Sequence, residues 1–122
     1  MAGCAVVTLM KGKTTIVVAG GEDANGQKLN TVEFLHYTKA KYNLVRSSWK
    51  KYDSLKYARS HFPSVGMVDG NLTVAGGKLD HPEFDQSVEQ FDGKNWNIVE
   101  DLKLQSPRFG HSTLKIDKDW CN

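Results

Sequence analysis

The run Asp80-His81-Pro82-Glu83-Phe84-Asp85 sets one imidazole beside three carboxylates. These ligand types suit a divalent cation held weakly through oxygen. No glycine-bearing twelve-residue loop motif accompanies them, so a solvated acidic loop is the competing reading. Within that loop Phe84, three residues after His81, is of more interest as an apolar anchor for a partner than the acids are as ligands. The stretch 50–58 carries Tyr52 and Tyr57 among Lys51 and Lys56. Exposed tyrosines among cations suit an acidic peptide, because Tyr supplies contact area with little rotamer entropy to lose. Alternatively, both rings pack beneath their loop. Arg59 and Arg108 can each grip a carboxylate with two N–H groups, or tether neighbouring loops by hydrogen bonds. Together Tyr52, Lys56, Tyr57, Arg59, His81, Phe84 and Arg108 form the expected partner-binding set. His61 and His111 would either line a central site or serve the structure. No Gly-x-Ser-x-Gly elbow, complete Gly-x4-Gly-Lys-Ser/Thr phosphate loop or His-Glu-x-x-His helix occurs. The chain is therefore read as not an enzyme, with no catalytic residue, metal or cofactor.

What must position these residues is legible around Val65–Gly77. Two apolar runs flank Asp69-Gly70-Asn71, and Asp-Gly between such runs signals a tight hairpin with positive φ at its centre. The Gly76-Gly77 pair then allows a bend or close chain approach that a Cβ would forbid. The arrangement occurs twice. Val6-Val7-Thr8-Leu9, a turn at Lys11-Gly12-Lys13, and a second run ending in Ala19-Gly20-Gly21 repeat it. Gly20 and Gly76 stand 56 residues apart, as do Val32-Glu33 and Val88-Glu89. Trp49 and Trp96 are 47 apart, and His61 and His111 are 50 apart, so the second copy is shorter between its third and fourth strands. Glycine pair, Val-Glu with an aromatic, Trp, Arg and His follow in one order in both copies, which indicates an internal repeat.

This order of marks, at a period near fifty, resembles the kelch repeat, whose units are four-stranded blades of a β-propeller. The resemblance covers residues 3–116 and rests on the ensemble of marks. It departs from the pattern at the start, where no Arg-x-x-His precedes Cys4, and in a long connection around residues 38–44. A WD-type propeller is excluded, because nine residues from His111 to Trp120 cannot hold three strands. The resemblance implies an all-β partial propeller: two four-stranded antiparallel kelch-like blades plus the first strand of a third. Blade one spans about 3–50, with strands near 3–9, 14–19, 32–37 and 44–50. Blade two spans about 61–100, with strands near 62–68, 72–76, 87–92 and 96–100. The extra strand lies near 110–116 and a tail covers 117–122. Gly20, Gly21, Gly76 and Gly77 would be structural repeat positions, and Trp49 and Trp96 would pack between blades. Cys4 aligns with the two histidines and reads as a small apolar residue. Copper oxidases among such propellers need cysteine beside tyrosine, which neither Cys4 nor Cys121 has in sequence.

By the same resemblance, the loops 22–30 and 78–86 share a rim with the connections 50–58 and 101–107, where partners usually bind. The implied function is a protein–protein interaction module, a substrate-recognition or scaffold part of a larger protein or assembly. Kelch proteins commonly present substrates to ubiquitin ligases or bind actin. The alternative is a carbohydrate-binding or sugar-modifying propeller assembled from several chains.

Composition bounds the rest. At 122 residues with 39% apolar and 25% charged side chains, one domain with a modest core is expected. A net charge of +2 is too small to call for nucleic acid or an anionic membrane. No apolar run approaches the roughly 20 residues of a membrane span, and no signal peptide is evident. Two cysteines at opposite ends make no disulfide framework, which favours a reducing, cytoplasmic setting. The Asn71-Leu72-Thr73 sequon is then unused. Two blades and one strand do not close a ring of about four to eight, so each end would expose an apolar sheet face. Three arrangements would cover it: a longer protein, a homo-oligomer such as three chains giving six blades, or the blades of another protein. In a homo-oligomer, strand 110–116 would start the neighbour's first blade.

Overall fold

The computed structural model describes residues 4–10, 13–39, 44–46 and 48–111. These residues form an all-β structure of two antiparallel sheets. In the first, β1 (Cys4–Met10), β2 (Lys13–Ala19) and β3 (Val32–Lys39) run as a meander, and β4 (Leu44–Arg46) and β5 (Lys50–Tyr52) share the outer edge of β3. The second is a simple meander of β6 (Ser64–Val68), β7 (Asn71–Ala75), β8 (Val88–Phe91) and β9 (Trp96–Ile98). The only helical turns among the described residues are short 3-10 segments at Pro82–Phe84 and Glu100–Leu102.

Alternation explains why these runs are strands. In β2 the burial of Thr15, Val17 and Ala19 alternates with partly exposed neighbours, as expected where one face meets a core and the other does not. The Asp69-Gly70 turn has φ of 49° and 79°, both positive, so the hairpin takes the primed form that matches the strands' twist. Its register runs from Val68↔Asn71 to Ser64↔Ala75.

Two expectations need correction. The strand expected over 44–50 is broken in two. Tyr37 pairs with Arg46 and Phe34 with Lys50, so the outer edge spends three residues where β3 spends two. That one-residue excess is the signature of a β-bulge. The strand expected from residue 62 starts at Ser64, because His61 and Phe62 both have positive φ, 56° and 59°, which no extended strand accommodates. The ninth strand expected at 110–116 falls outside the described residues from 112 onward.

The core lies between the sheets. Val17, Ala19, Val32 and Phe34 of the first sheet meet Val65, Leu72, Val74 and Trp96 of the second, with Leu55 of the connection filling the seam. Tyr52 stacks on Phe34 at 4.1 Å between ring centroids and leans on Phe91 at 5.0 Å, so an aromatic ladder continues the core outward.

The repeat extends to hydrogen bonds. Gly20 N donates to the Thr31 carbonyl and Gly76 N to that of Ser87, at 2.9 and 3.3 Å. Gly21 N donates to the Arg59 carbonyl and Gly77 N to that of Arg108, at 2.7 and 2.8 Å. Leu55 N donates to Asn30 O and Leu104 N to Gln86 O, at 2.8 and 2.9 Å. Gly20 and Gly76 share φ of 68°, and a Cβ on Gly20 would fall 2.4 Å from the Arg59 carbonyl oxygen. The glycine pair is thus the point where the next connection presses on the sheet.

Gly20→Ala should destabilise well beyond the roughly 1–2 kcal/mol of a left-handed L-residue, because backbone must also move. Gly26→Ala, at φ 77° with open space around it, should lose only the conformational part. Urea midpoints of the two variants measure the difference.

Candidate functional site

The connection between the sheets, residues 53–63, organises everything near it. Leu55 is held on the first sheet by its N–H to the Asn30 carbonyl, and Asn30 Nδ2 donates back to Leu55 O at 3.1 Å. Trp96 of the second sheet donates its indole N–H to the Asp53 carbonyl at 2.8 Å. The chain then turns inward at Arg59, which is fully buried.

Arg59 has five N–H groups on its side chain, and all five are used. Nε and Nη2 donate to Glu89 Oε2 at 3.1 and 2.9 Å. Nη1 donates to the carbonyls of Gly76 and Ser87 at 2.8 and 3.0 Å. The second Nη2 proton goes to Ser87 Oγ at 2.7 Å. Glu89, also fully buried, accepts from Lys56 N at 2.6 Å through Oε1 and from Tyr57 N at 3.4 Å through Oε2. Burial pulls the Arg59 pKa below the usual guanidinium value, and the Glu89 charge opposes that pull. Meanwhile the Arg59 backbone N–H donates to Leu29 O at 3.0 Å, on the first sheet's side. One residue therefore clamps both sheets together.

This placement corrects two expectations. Arg59 has no surface or free donor to offer a partner. Tyr52, stacked between Phe34 and Phe91, belongs to the core edge, and burial raises its pKa. Trp49 is corrected as well. Trp96 is 3% exposed and packs between the sheets, whereas Trp49 is 50% exposed.

Lys56, Tyr57, His81 and Phe84 are brought together. The loop 78–86 is shaped by buried Asp85, whose Oδ1 accepts from Leu79 N at 2.9 Å. Its 3-10 turn lifts Phe84 against Tyr57, and the rings stack at 4.8 Å and 12°. Below this pair lies a cleft of about 250 Å³. Val88, Ile98 and Val99 supply its apolar lining, and Glu83, Glu100 and Lys103 stand around it. Lys56, Asp80 and His81 edge a smaller hollow of about 90 Å³, also bordered by Tyr57. The larger volume falls short of the roughly 300–1,000 Å³ of small-molecule sites, so it fits one or two side chains of a larger ligand. Charges of both signs surround it, so its electrostatics give no preference for an acidic sequence.

The carboxylates of the 80–85 loop go separate ways. Asp80 pairs with Lys28 at 2.8 Å, which pulls its pKa down, and Glu83 faces His81 at 3.7 Å. Among the described residues no three His, Cys, Asp or Glu side chains converge as a metal site. His61 Nδ1 sits 2.8 Å from Ser60 Oγ and 3.5 Å from Glu22, and His111 Nε2 hydrogen-bonds Ser64 Oγ. Each joins neighbouring segments. Arg108 lies apart from the cleft and is exposed.

The sequence reading missed Glu89 and Ser87 as partners of Arg59, and Ile98, Val99 and Lys103 as cleft residues. The signal for Glu89 was present: a charged residue inside an apolar strand, recurring at a fixed offset with an arginine at another. No helix among the described residues is long and apolar enough to cross a membrane. A scan against family models finds none that matches this chain, and a search of curated proteins finds no matching relative.

Removing one member of a buried ion pair strands the other, at a cost of about 3–5 kcal/mol. Glu89→Gln should lose about that much in chemical denaturation. Asp80→Asn, which breaks the exposed pair with Lys28, should leave the midpoint unchanged.

Proposed function

We propose that this chain is part of a kelch-like β-propeller and serves as a protein–protein interaction module. The two sheets are two of its blades, and the cleft under Tyr57 and Phe84 is its binding site. The observation that carries the reading is the stacked pair itself. Phe84 is 38% exposed on a loop tip, yet it is rigidified by Tyr57 and roofs an apolar hollow. Aromatic groups held in place over a pocket make strong anchors, because little side-chain entropy remains to be lost on binding. Support for the blade reading comes from the meander order of both sheets, the Gly-Gly bends and the matched hydrogen bonds at each repeat. The site lies between the loop joining a blade's second and third strands and the connection entering that blade.

The ligand is an extended or looped protein segment that inserts an aliphatic or aromatic side chain toward Val88 and Ile98. Lys103 and Glu100 are placed to meet polar groups flanking that anchor.

Peptide-library selection on the purified protein should recover ligands with one apolar anchor. Phe84→Ala and Tyr57→Ala should each weaken them about thirty-fold, corresponding to a hot spot of roughly 2 kcal/mol. Selected peptides indifferent to both variants would refute the site. Glycan-array binding with no peptide recovered would favour the carbohydrate class instead.

A further inference from the structure

The Arg59 clamp is one half of a repeating contact whose second half lies open on this chain. Arg108 occupies the equivalent backbone place. Its carbonyl accepts from Gly77 N as that of Arg59 accepts from Gly21 N, and it follows Leu104 by the same four residues by which Arg59 follows Leu55. Arg59 is 0% exposed and fully paired. Arg108 is exposed, and no described residue hydrogen-bonds or ion-pairs with its guanidinium.

The acceptors that Arg59 uses have counterparts too. Gly76, Ser87 and Glu89 correspond, at the offset of 56, to Gly20, Thr31 and Glu33. Glu33 pairs with Val18 and Lys51 in the sheet register, as Glu89 pairs with Val74 and Ile98. No described residue donates to the Glu33 carboxylate or the Thr31 hydroxyl. The surrounding face is correspondingly uncovered. Leu72, Val74, Glu89 and Trp96 are all buried against the first sheet, while their counterparts Ile16, Val18 and Glu33 are only partly buried and Trp49 is half exposed.

We infer that a second copy of this chain covers this face. Arg108 of one copy enters the acceptor set Glu33, Thr31 and Gly20 of the next, as Arg59 enters Glu89, Ser87 and Gly76 within one chain. The occupant follows from complementarity. Among the described residues, the Arg108 guanidinium beyond one sheet and the Glu33 carboxylate on the opposite outer face have no partner, and the interior shows how such halves fit. Both charges would become buried, so each would need the other. The contact is heterologous, head to tail, and closes into a ring when the rotation permits. Rings of this kind hold about four to eight sheets, hence about two to four copies. This inference rests on the propeller reading above, though not on the Tyr57–Phe84 cleft.

Sedimentation velocity on the full chain, with Arg108→Glu, Glu33→Arg and the double variant, tests it. The parent should sediment as a small ring, and each single variant as a monomer. The two single variants mixed in equal amounts should associate, and the double variant should regain the ring. A parent that stays monomeric at its highest soluble concentration overturns the inference, and so does a single variant with the parent's mass. Crosslinking supplies a check independent of charge. In a Cys4→Ser, Cys121→Ser background, Arg108→Cys mixed with Glu33→Cys and treated with a flexible bis-maleimide, which spans the gap the two long side chains leave, should give a covalent dimer absent from either alone, and its failure to form would equally overturn the contact. Peptide binding at the cleft, measured on the same variants, separates the two proposals. Monomers that still bind peptide sink only the ring.

Discussion

A guanidinium taken out of water must recover every hydrogen bond it gives up, and Arg59 does so at the seam between two sheets whose packed core is otherwise apolar. Its partners come from three places: the Gly76 bend, Ser87 just before β8, and Glu89 within β8. Its backbone binds Gly21 and Leu29 on the other side. Apolar packing is tolerant of small slips, since its energy follows area. A five-donor fork is not, because a shift of an ångström strands a buried charge. The clamp therefore sets how the sheets sit, and the core of Val17, Phe34, Val74 and Trp96 supplies the driving force to close it.

The cleft beside Tyr57 depends on the same residue at one remove. Glu89 accepts from the backbone N–H groups of Lys56 and Tyr57, which holds the connection against the sheet and fixes where the Tyr57 ring projects. Phe84 then stacks on that ring. A surface aromatic is thus positioned through a buried carboxylate, which links the core's electrostatics to the shape of the cleft. The duplicated clamp residues, Arg108 and Glu33, carry that logic past the boundaries of the two sheets.

Much of the architecture was readable in the chain. The Gly-Gly pairs, the Asp69-Gly70 hairpin, the Val-Glu marks and the period of 56 place the described strands within a few residues of where they lie, the split of the one expected over 44–50 apart. Each is a local signal: backbone conformations only glycine tolerates, and alternation that needs only neighbours along a strand. The two tryptophans show the limit. Trp49 and Trp96 are indistinguishable as repeat marks, yet Trp96 is buried because a sheet stands before it while Trp49 is half exposed. Burial is a property of what lies opposite, which no repeat position encodes.

The candidate site divides in the same way. Tyr52, Tyr57, Arg59, Arg108 and Phe84 are residue types suited to recognition, and composition alone could not sort them. Tertiary structure sent Tyr52 and Arg59 inward, stacked Tyr57 on Phe84 across 27 residues of sequence, and left Arg108 exposed. Strand order, turns and the repeat were determined by the amino-acid sequence alone, since they answer to short-range sterics and periodicity. Which side chains meet and which face water was decided only in three dimensions, because dielectric environment and partner identity arise from segments far apart in the chain.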